Sequence, residues 1–420
     1  MGVEIYIPSG SPFTIRNIPF GVISTKANPT PRCATAIGGY AIDLGVYSSK
    51  GHLNKLSFDT SITEIFNEPT LNAFAELTHS VRRDVRNTII QDVVDSQIEE
   101  ECLIPLDQVT MHLPMHIGGY SDFYCSLEHC QNCSPMAVGA TIPKNWFYTP
   151  SVYNSRVSSI IPSPHPVRRP WGVYLKDGDT PTYGASQEVD YELEMGYFVS
   201  KPVKFGSELN IAEADEHIFG FVLLNDWSSR DIQVFEMKPL GPFHGKGFGT
   251  SISTWVVTMD ALASSRCAPK TIQDPPPFPH LKWPTIEDGA ISINLRITLA
   301  RNSQSFTMGT SNLRYLYWTP FQQITHHASA MGGLNTGDLL GTGTISGDAV
   351  DDKGNKKELG CLYEATQGGT KAVTLADGSQ LKYLRDEDEI ILEAWCEDAD
   401  GTLILGFGEC RGKLLAAVTK

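Results

Sequence analysis

The chain has 420 residues, 41% hydrophobic and 19% charged, a composition that builds a sizeable core and argues against a disordered protein. Its formal net charge of -15 argues against nucleic acid or an anionic membrane as a partner, because both are recognised through basic surfaces. No stretch approaches the roughly 20 apolar residues of a membrane-spanning helix. The start, MGVEIYIPSGSPF, has no secretory pattern and carries Tyr6 where a myristoylation motif needs Ser or Thr, so a cytoplasmic protein is expected.

This length suggests two domains. Residues 1–115 read as one unit. Short strands around Phe20–Ser24 and Cys33–Leu44 are punctuated by Gly and Pro, and Thr63–Asp95 has apolar residues at helical spacing (Ile65, Phe66, Leu71, Phe74, Leu77, Val81, Val85, Ile89). A small β-barrel with helical elaboration is expected, and nothing in it groups acids, bases and nucleophiles. From Met111 onward, short apolar runs separated by Pro and Gly clusters suggest a β-sandwich or barrel-like domain over 116–420. Asn312–Ala330 is expected to hold a helix ending near Gly332-Gly333. Nine cysteines without a signal peptide suggest reduced thiols. Cys125, Cys130 and Cys133 have an iron–sulfur-like spacing but lack an evident fourth partner, and read better as small buried side chains.

The chemistry concentrates in carboxylates. Asp122, Glu192, Glu194 and Asp226 stand in strand- or turn-like settings, and the stretch Asn225–Ser251 adds Arg230, Gln233, Lys246 and Thr250. Glu192 and Glu194 project from one face of a strand, about 7 Å apart. Acids outward on a half-exposed strand is the bland account. A hard divalent ion with oxygen ligands, Mg²⁺ or Ca²⁺, is the sharper one. With Arg230 and Lys246 such an ion neutralises the four acids. His129 is a candidate base and Glu364 its candidate orienter. His326-His327 face different directions on a helix and do not share an ion. Gly343–Gly347 offers backbone N–H groups to a substrate oxygen.

Read together, these residues resemble the fumarylacetoacetase family, the C–C bond hydrolases of tyrosine breakdown. The matches run in order over nearly the whole chain: Pro19-Phe-Gly-Val-Ile-Ser-Thr, Met111-His-Leu-Pro, Asp122-Phe-Tyr, Glu192-Leu-Glu-Met, Asn225-Asp-Trp-Ser, Arg230-Asp-Ile-Gln, Pro239-Leu-Gly-Pro-Phe, Gly343-Thr-Ile-Ser-Gly and Gly406-Phe-Gly. The resemblance implies a mainly β fold, with an SH3-like N-terminal barrel, a mixed β-sandwich-roll catalytic domain, and a homodimer. It implies a metal on Asp122, Glu192, Glu194 and Asp226 with Lys246 and Thr250 close by, and His129 as base oriented by Glu364. It implies charge stabilisation by Arg230, Gln233 and Lys246, and contacts from Tyr124, Tyr153 and Thr344 to a 1,3-dicarbonyl substrate. Two positions depart. The interval Cys130–Lys144 lacks the family's arginine, with Val138 near its place, and Met237 replaces a tyrosine. Both changes make a carboxylate-binding wall apolar, unless Lys144 or Lys238 restores the charge. A bulkier or less acidic substrate than fumarylacetoacetate is expected, such as a polyketide-like dicarbonyl of secondary metabolism. A β-keto-acid decarboxylase, isomerase or cyclase using the same enolate is the alternative; a degenerate binding protein is disfavoured by the complete set of acids.

Overall fold

The computed structural model describes residues 2–54, 56, 62–137 and 141–419. In the N-terminal region, β1 (Phe20–Thr25), β2 (Arg32–Ile37), β3 (Tyr40–Asp43), β4 (Leu103–Pro105) and β5 (Val109–Met111) pair antiparallel in the order β4-β3-β2-β1-β5. Gly38, at a φ of 56°, closes the two-residue turn that pairs Ile37 with Tyr40, a backbone conformation glycine adopts without penalty. The expected helical stretch is divided into Ile62–Asn67, Asn72–Glu76 and α1 (His79–Val94). Pro69 accounts for the first break, because a proline and the residue before it resist the helical backbone. One expectation fails here: the region does group acids and bases. His52 Nδ1 meets Asp92 and Nε2 meets Glu99, both at 2.8 Å, while the Tyr47 hydroxyl donates to Asp92 at 2.6 Å.

Two larger sheets in the rest of the chain are built from β6 (Tyr120–Phe123), β7 (Val152–Asn154), β8 (Ile160–Pro162), β9 (Val167–Arg168), β10 (Leu193–Val199) and β11 (Ile218–Asp226). They continue with β12 (Thr250–Ile252), β13 (Asn294–Arg301), β14 (Gln304–Asn312), β15 (Leu339–Gly341), β16 (Glu389–Glu397) and β17 (Leu403–Leu415). A mixed sheet runs β7-β6-β15-β10-β11-β12-β8, and a second runs β14-β13-β16-β17-β9. The fold is mainly β, as expected. Helices α2 (Leu127–Ala137), α3 (Arg230–Glu236), α4 (Pro320–Ser329) and α5 (Leu362–Ala365) are set between the strands. The helix expected over Asn312–Ala330 is confined to α4. Asn312 ends β14, and the Gln322 side chain accepts the Thr319 N–H at 3.0 Å where the helix starts at Pro320.

The centre of the mixed sheet is buried on both faces, so β10 and β11 carry no solvent-facing row. Side-chain alternation divides β11: Phe221 and Leu223 join the core between the two sheets, while Val222 and Leu224 join a core built with Phe20, Phe66, Phe74 and Ile89. The N-terminal region therefore covers one face of the central sheet. By the same alternation, Glu194 shares that face with Phe198, and Asp122 with Tyr120. This overturns the account of Glu192 and Glu194 as outward acids on a half-exposed strand. The four acids of the sequence reading are all buried.

Candidate active site

The acids converge from three strands. Asp122 is the last residue but one of β6, Glu194 the second of β10 and Asp226 the last of β11, and one oxygen of each lies within 4.8 Å of the others. Asp122 Oδ1 and Glu194 Oε1 are buried without a hydrogen-bond partner. Such orphaned oxygens are costly in a folded interior unless a cation or donor meets them. Burial, with the neighbouring Asp226 charge, pushes the Asp122 carboxyl well above its ordinary range; burial, with Asp122, does the same to Glu194. This all-oxygen donor set fits a hard divalent ion such as Mg²⁺ or Ca²⁺. Tyr153 donates to Asp122 and Asp226 at 3.2 Å, and Thr250 to Asp226 at 3.5 Å.

Glu192 lies beside this trio but is turned to cations. Lys246 pairs with it and with Asp226 at 2.7 Å, and the Arg230 guanidinium reaches it at 2.8 Å. Burial raises its carboxyl, yet Lys246 and Arg230 hold it down at about 2. Arg230 also binds Asp190 through two nitrogens, at 2.9 and 2.7 Å, and donates to Gln233 at 3.1 Å. Asp190 in turn accepts the N–H groups of Leu362 and Tyr363 at the start of α5. Asp190 is a functional neighbour that the sequence reading missed. It continues the alternation Asp190, Glu192, Glu194, which was the available signal. With it, five buried carboxylates face two cations, and a divalent ion leaves one negative charge rather than none.

His129 sits near the start of α2, and its Nδ1 meets Glu364 on α5 at 2.9 Å. Glu364 is itself fixed by Ser346 at 2.8 and 3.0 Å, Asn132 at 2.7 Å and the Gly360 N–H at 3.2 Å. Burial lowers the imidazole pKa, but the Glu364 charge overcomes this and holds it well above the ordinary histidine value. His129, Glu192, Glu194, Asp122, Arg230 and Lys246 open onto one cavity of about 330 Å³.

Two family models match the chain: "Fumarylacetoacetase N-terminal" over residues 16–114 and "Fumarylacetoacetate (FAA) hydrolase C-terminal" over 119–414. The sequence is 41% identical to fumarylacetoacetase of Bos taurus over 98% of each chain, and 40% identical to that of Homo sapiens over 99% of each. The chain belongs to the fumarylacetoacetate hydrolase family. The same fold is seen in solved structures of far lower identity. One is a fumarylacetoacetate hydrolase from Exiguobacterium antarcticum (TM-score 0.52, 14% identity, covering 95% of this chain and 99% of that one). Another is a probable 2-hydroxyhepta-2,4-diene-1,7-dioate isomerase from Mycobacterium abscessus (0.52, 15%, 96% and 100%).

In this member of the fumarylacetoacetate hydrolase family, Tyr124, Tyr153, Gln233, Met237 and Thr344 also line the cavity. Tyr124 packs edge-on to the His129 ring at 5.2 Å. Asp226, Thr250 and Glu364 stand behind the lining. Val138 lies outside the described residues. Lys144 and Lys238 are not among the lining residues, while Pro143, Val234, Met237 and Pro242 are. The Gly343–Gly347 backbone serves only in part as expected: Thr344 lines the cavity and its N–H donates to none of the described residues, but the other four are taken. Its N–H groups at Gly343, Ile345, Ser346 and Gly347 donate to Glu194, Leu193, Ser126 and Glu358 respectively. His326 and His327 bond separately, to Thr149 and Ser121.

Proposed function

We propose that this chain is a metal-dependent hydrolase that cleaves a carbon–carbon bond of a 1,3-dicarbonyl compound. Family membership makes it a hydrolase acting on C–C bonds. The observation that carries the finer reading is a buried His129–Glu364 pair opening onto the same cavity as carboxylates with orphaned oxygens. Asp122, Glu192, Glu194 and Asp226 would hold Mg²⁺ or Ca²⁺, with Lys246 and Thr250 adjoining. When bound, that ion supplies Lewis-acid polarisation of the dicarbonyl oxygens and neutralises charge that develops on them.

His129 takes a proton from water as the oxygen bonds to one carbonyl carbon, while Glu364 holds the ring and stabilises the imidazolium. The C–C bond then breaks, its electron pair passing to the leaving fragment as an enolate. His129 returns the proton to the leaving carbon, giving a ketone and a carboxylic acid that ionises by losing its proton to solvent. Arg230, Gln233 and Lys246 stabilise the developing negative charge. Tyr124, Tyr153 and Thr344 position the substrate.

The wall formed by Pro143, Val234, Met237 and Pro242 supports a substrate whose far end is bulkier or less acidic than that of fumarylacetoacetate. Arg230 and Lys246, the cations on this cavity among the described residues, are already committed to buried carboxylates. A reducing cytoplasmic setting is supported by nine free cysteines. A homodimer is supported by exposed apolar side chains such as Val173, Leu175, Leu240 and Phe243. A domain division at 115/116 is supported by the strand-free interval between β5 and β6.

Turnover in H₂¹⁸O tests the reaction class. Hydrolysis places label in a new carboxylate; unlabelled product points to decarboxylation, isomerisation or cyclisation. The specificity reading predicts a higher kcat/KM for a dicarbonyl with a neutral tail than for fumarylacetoacetate, and the reverse order sinks it.

A further inference from the structure

The loop between α3 and Lys246 carries two residues of the cavity's far wall, Met237 and Pro242, one at each foot. Lys238, Pro239 and Leu240 at its crest are exposed, so its shape is held from below. The Gly241 N–H donates to the Met237 carbonyl at 2.7 Å, with Gly241 at a φ of 96° that suits glycine. Beneath that turn lies Glu236, the last residue of α3. Its carboxylate accepts three successive backbone N–H groups. Oε1 takes those of Phe243 and Gly245, each at 2.7 Å, and Oε2 takes that of His244 at 3.0 Å. We propose that Glu236 is a positioning residue: by tethering this loop it fixes the far wall of the cavity and so selects the tail of the substrate. The selecting role rests on the proposed function, which makes the cavity the substrate site; the tether does not.

Consecutive N–H groups turned to one side make a concavity suited to an anion, and a carboxylate accepts more strongly than a neutral oxygen. Here the anion is the chain's own. The bonds run from the end of α3 to residues 243–245, so the six residues between move with the tether or not at all. Gly245 is held on two sides: its N–H meets Glu236, and its carbonyl accepts the Ser229 N–H at 2.8 Å. A Cβ on Gly245 would stand 2.7 Å from Gln233 Cα, so the returning chain passes against α3 without clearance. Lys246 follows, and it has partners of its own in Glu192 and Asp226. Loss of the tether is therefore felt in the wall of Met237 and Pro242 before it is felt at Lys246. The reacting end of the substrate keeps its charged neighbours, while the far end loses the surface that it packs on.

The test compares the full-length parent with Glu236→Ala and Glu236→Gln, in excess Mg²⁺, on two neutral 1,3-diketones. Acetylacetone has no tail, and benzoylacetone has a phenyl tail. The parent should show the lower KM for benzoylacetone. In Glu236→Ala that preference should fall by at least about tenfold, the scale of a lost apolar contact, while kcat and the acetylacetone KM stay within about threefold. Glu236→Gln keeps an oxygen for two of the three N–H groups and should lie between. A parent without the preference, or a variant in which both diketones suffer alike, overturns the selecting role. Amide hydrogen exchange, without substrate, reads the tether directly. The peptide carrying Phe243, His244 and Gly245 should exchange at least about tenfold faster in Glu236→Ala, with peptides of β11 unchanged. Exchange equal to the parent's overturns the tether. Thermal melts identify an alanine variant that fails to fold, and Glu236→Gln then carries both readouts. If the protein hydrolyses neither diketone, their Kd values by calorimetry replace KM, so failure of the tether and failure of the proposed function remain distinguishable.

Discussion

His52 and His129 are both partly or fully buried and both held by carboxylates, yet their chemical prospects differ. His52 has Asp92 on one nitrogen and Glu99 on the other, each at 2.8 Å, and its ring stacks on Tyr47 at a centroid distance of 4.3 Å. Both nitrogens are committed, which makes it a clasp between the segment after β3 and the end of α1. His129 commits only Nδ1 to a carboxylate and opens onto a cavity beside acids. The lesson is that burial and a carboxylate partner do not make a catalytic histidine. A second nitrogen that faces a reaction space does.

The largest effect that this contrast predicts comes from His129→Ala. Hydrolysis should fall by about 10²–10⁴-fold, the usual contribution of a positioned acid–base group. A variant with near wild-type kcat would erase the distinction between the two histidines. Next is Lys246→Met, which strands the buried charges of Glu192 and Asp226. Chemical denaturation should register a loss of about 3–5 kcal/mol. A stability equal to the parent's would mean those acids are not charged in the fold.

Glu364→Gln tests the tuning of His129. The imidazole must be neutral to accept a proton, so activity rises as pH climbs through its pKa. Removing the Glu364 charge leaves burial to lower that pKa, and the acid limb of kcat/KM should move to lower pH while the rate drops. A limb that stays put or moves upward contradicts the assignment. The smallest effect expected on catalysis belongs to Asp92→Asn. It should cost about 1–3 kcal/mol of stability by weakening the His52 and Tyr47 bonds, with kcat unchanged. A fall in kcat would show that the clasp and the cavity communicate.

The metal-free protein offers a further check on sign. Asp122 and Glu194 have folded pKa values raised above their unfolded ones, so they contribute stability at low pH that is lost as pH rises through the folded values. Melting with a chelator present should therefore occur at lower temperature near pH 7.5 than near pH 5.5. Added Mg²⁺ or Ca²⁺ should flatten that slope. A chelated protein that melts higher at the more alkaline pH would speak against the buried trio.

The mainly β architecture and the acids were legible because ordered motifs carry them, and the His129–Glu364 pair because the family resemblance those motifs establish implies it. Their duties were less so. Glu192 and Glu194 look equivalent by alternation, but Arg230 and Lys246 arrive from α3 and the following loop to claim one of them. Asp190 escaped notice because its partner, Arg230, lies 40 residues away. The Tyr47–His52–Asp92–Glu99 clasp was invisible for the same reason: its members span more than one element, and no local spacing joins them. Cys133 was weighed against Cys125 and Cys130, neighbours in sequence, whereas in space it meets Cys361. The Gly343–Gly347 turn reads as a set of free donors, but every N–H in it other than that of Thr344 meets an acceptor from elsewhere in the chain.

The apolar seal between the N-terminal region and the central sheet carries a practical consequence. Phe198, Val222 and Leu224 lie under Phe20, Phe66 and Phe74, on the face from which Glu194 and Asp226 emerge. Trimming the chain to its larger half would bare that same face of the very strands that hold the acids. Substitutions among those distant phenylalanines should thus be felt as weakened ion binding, long before the protein unfolds, and a screen confined to the cavity would never find them.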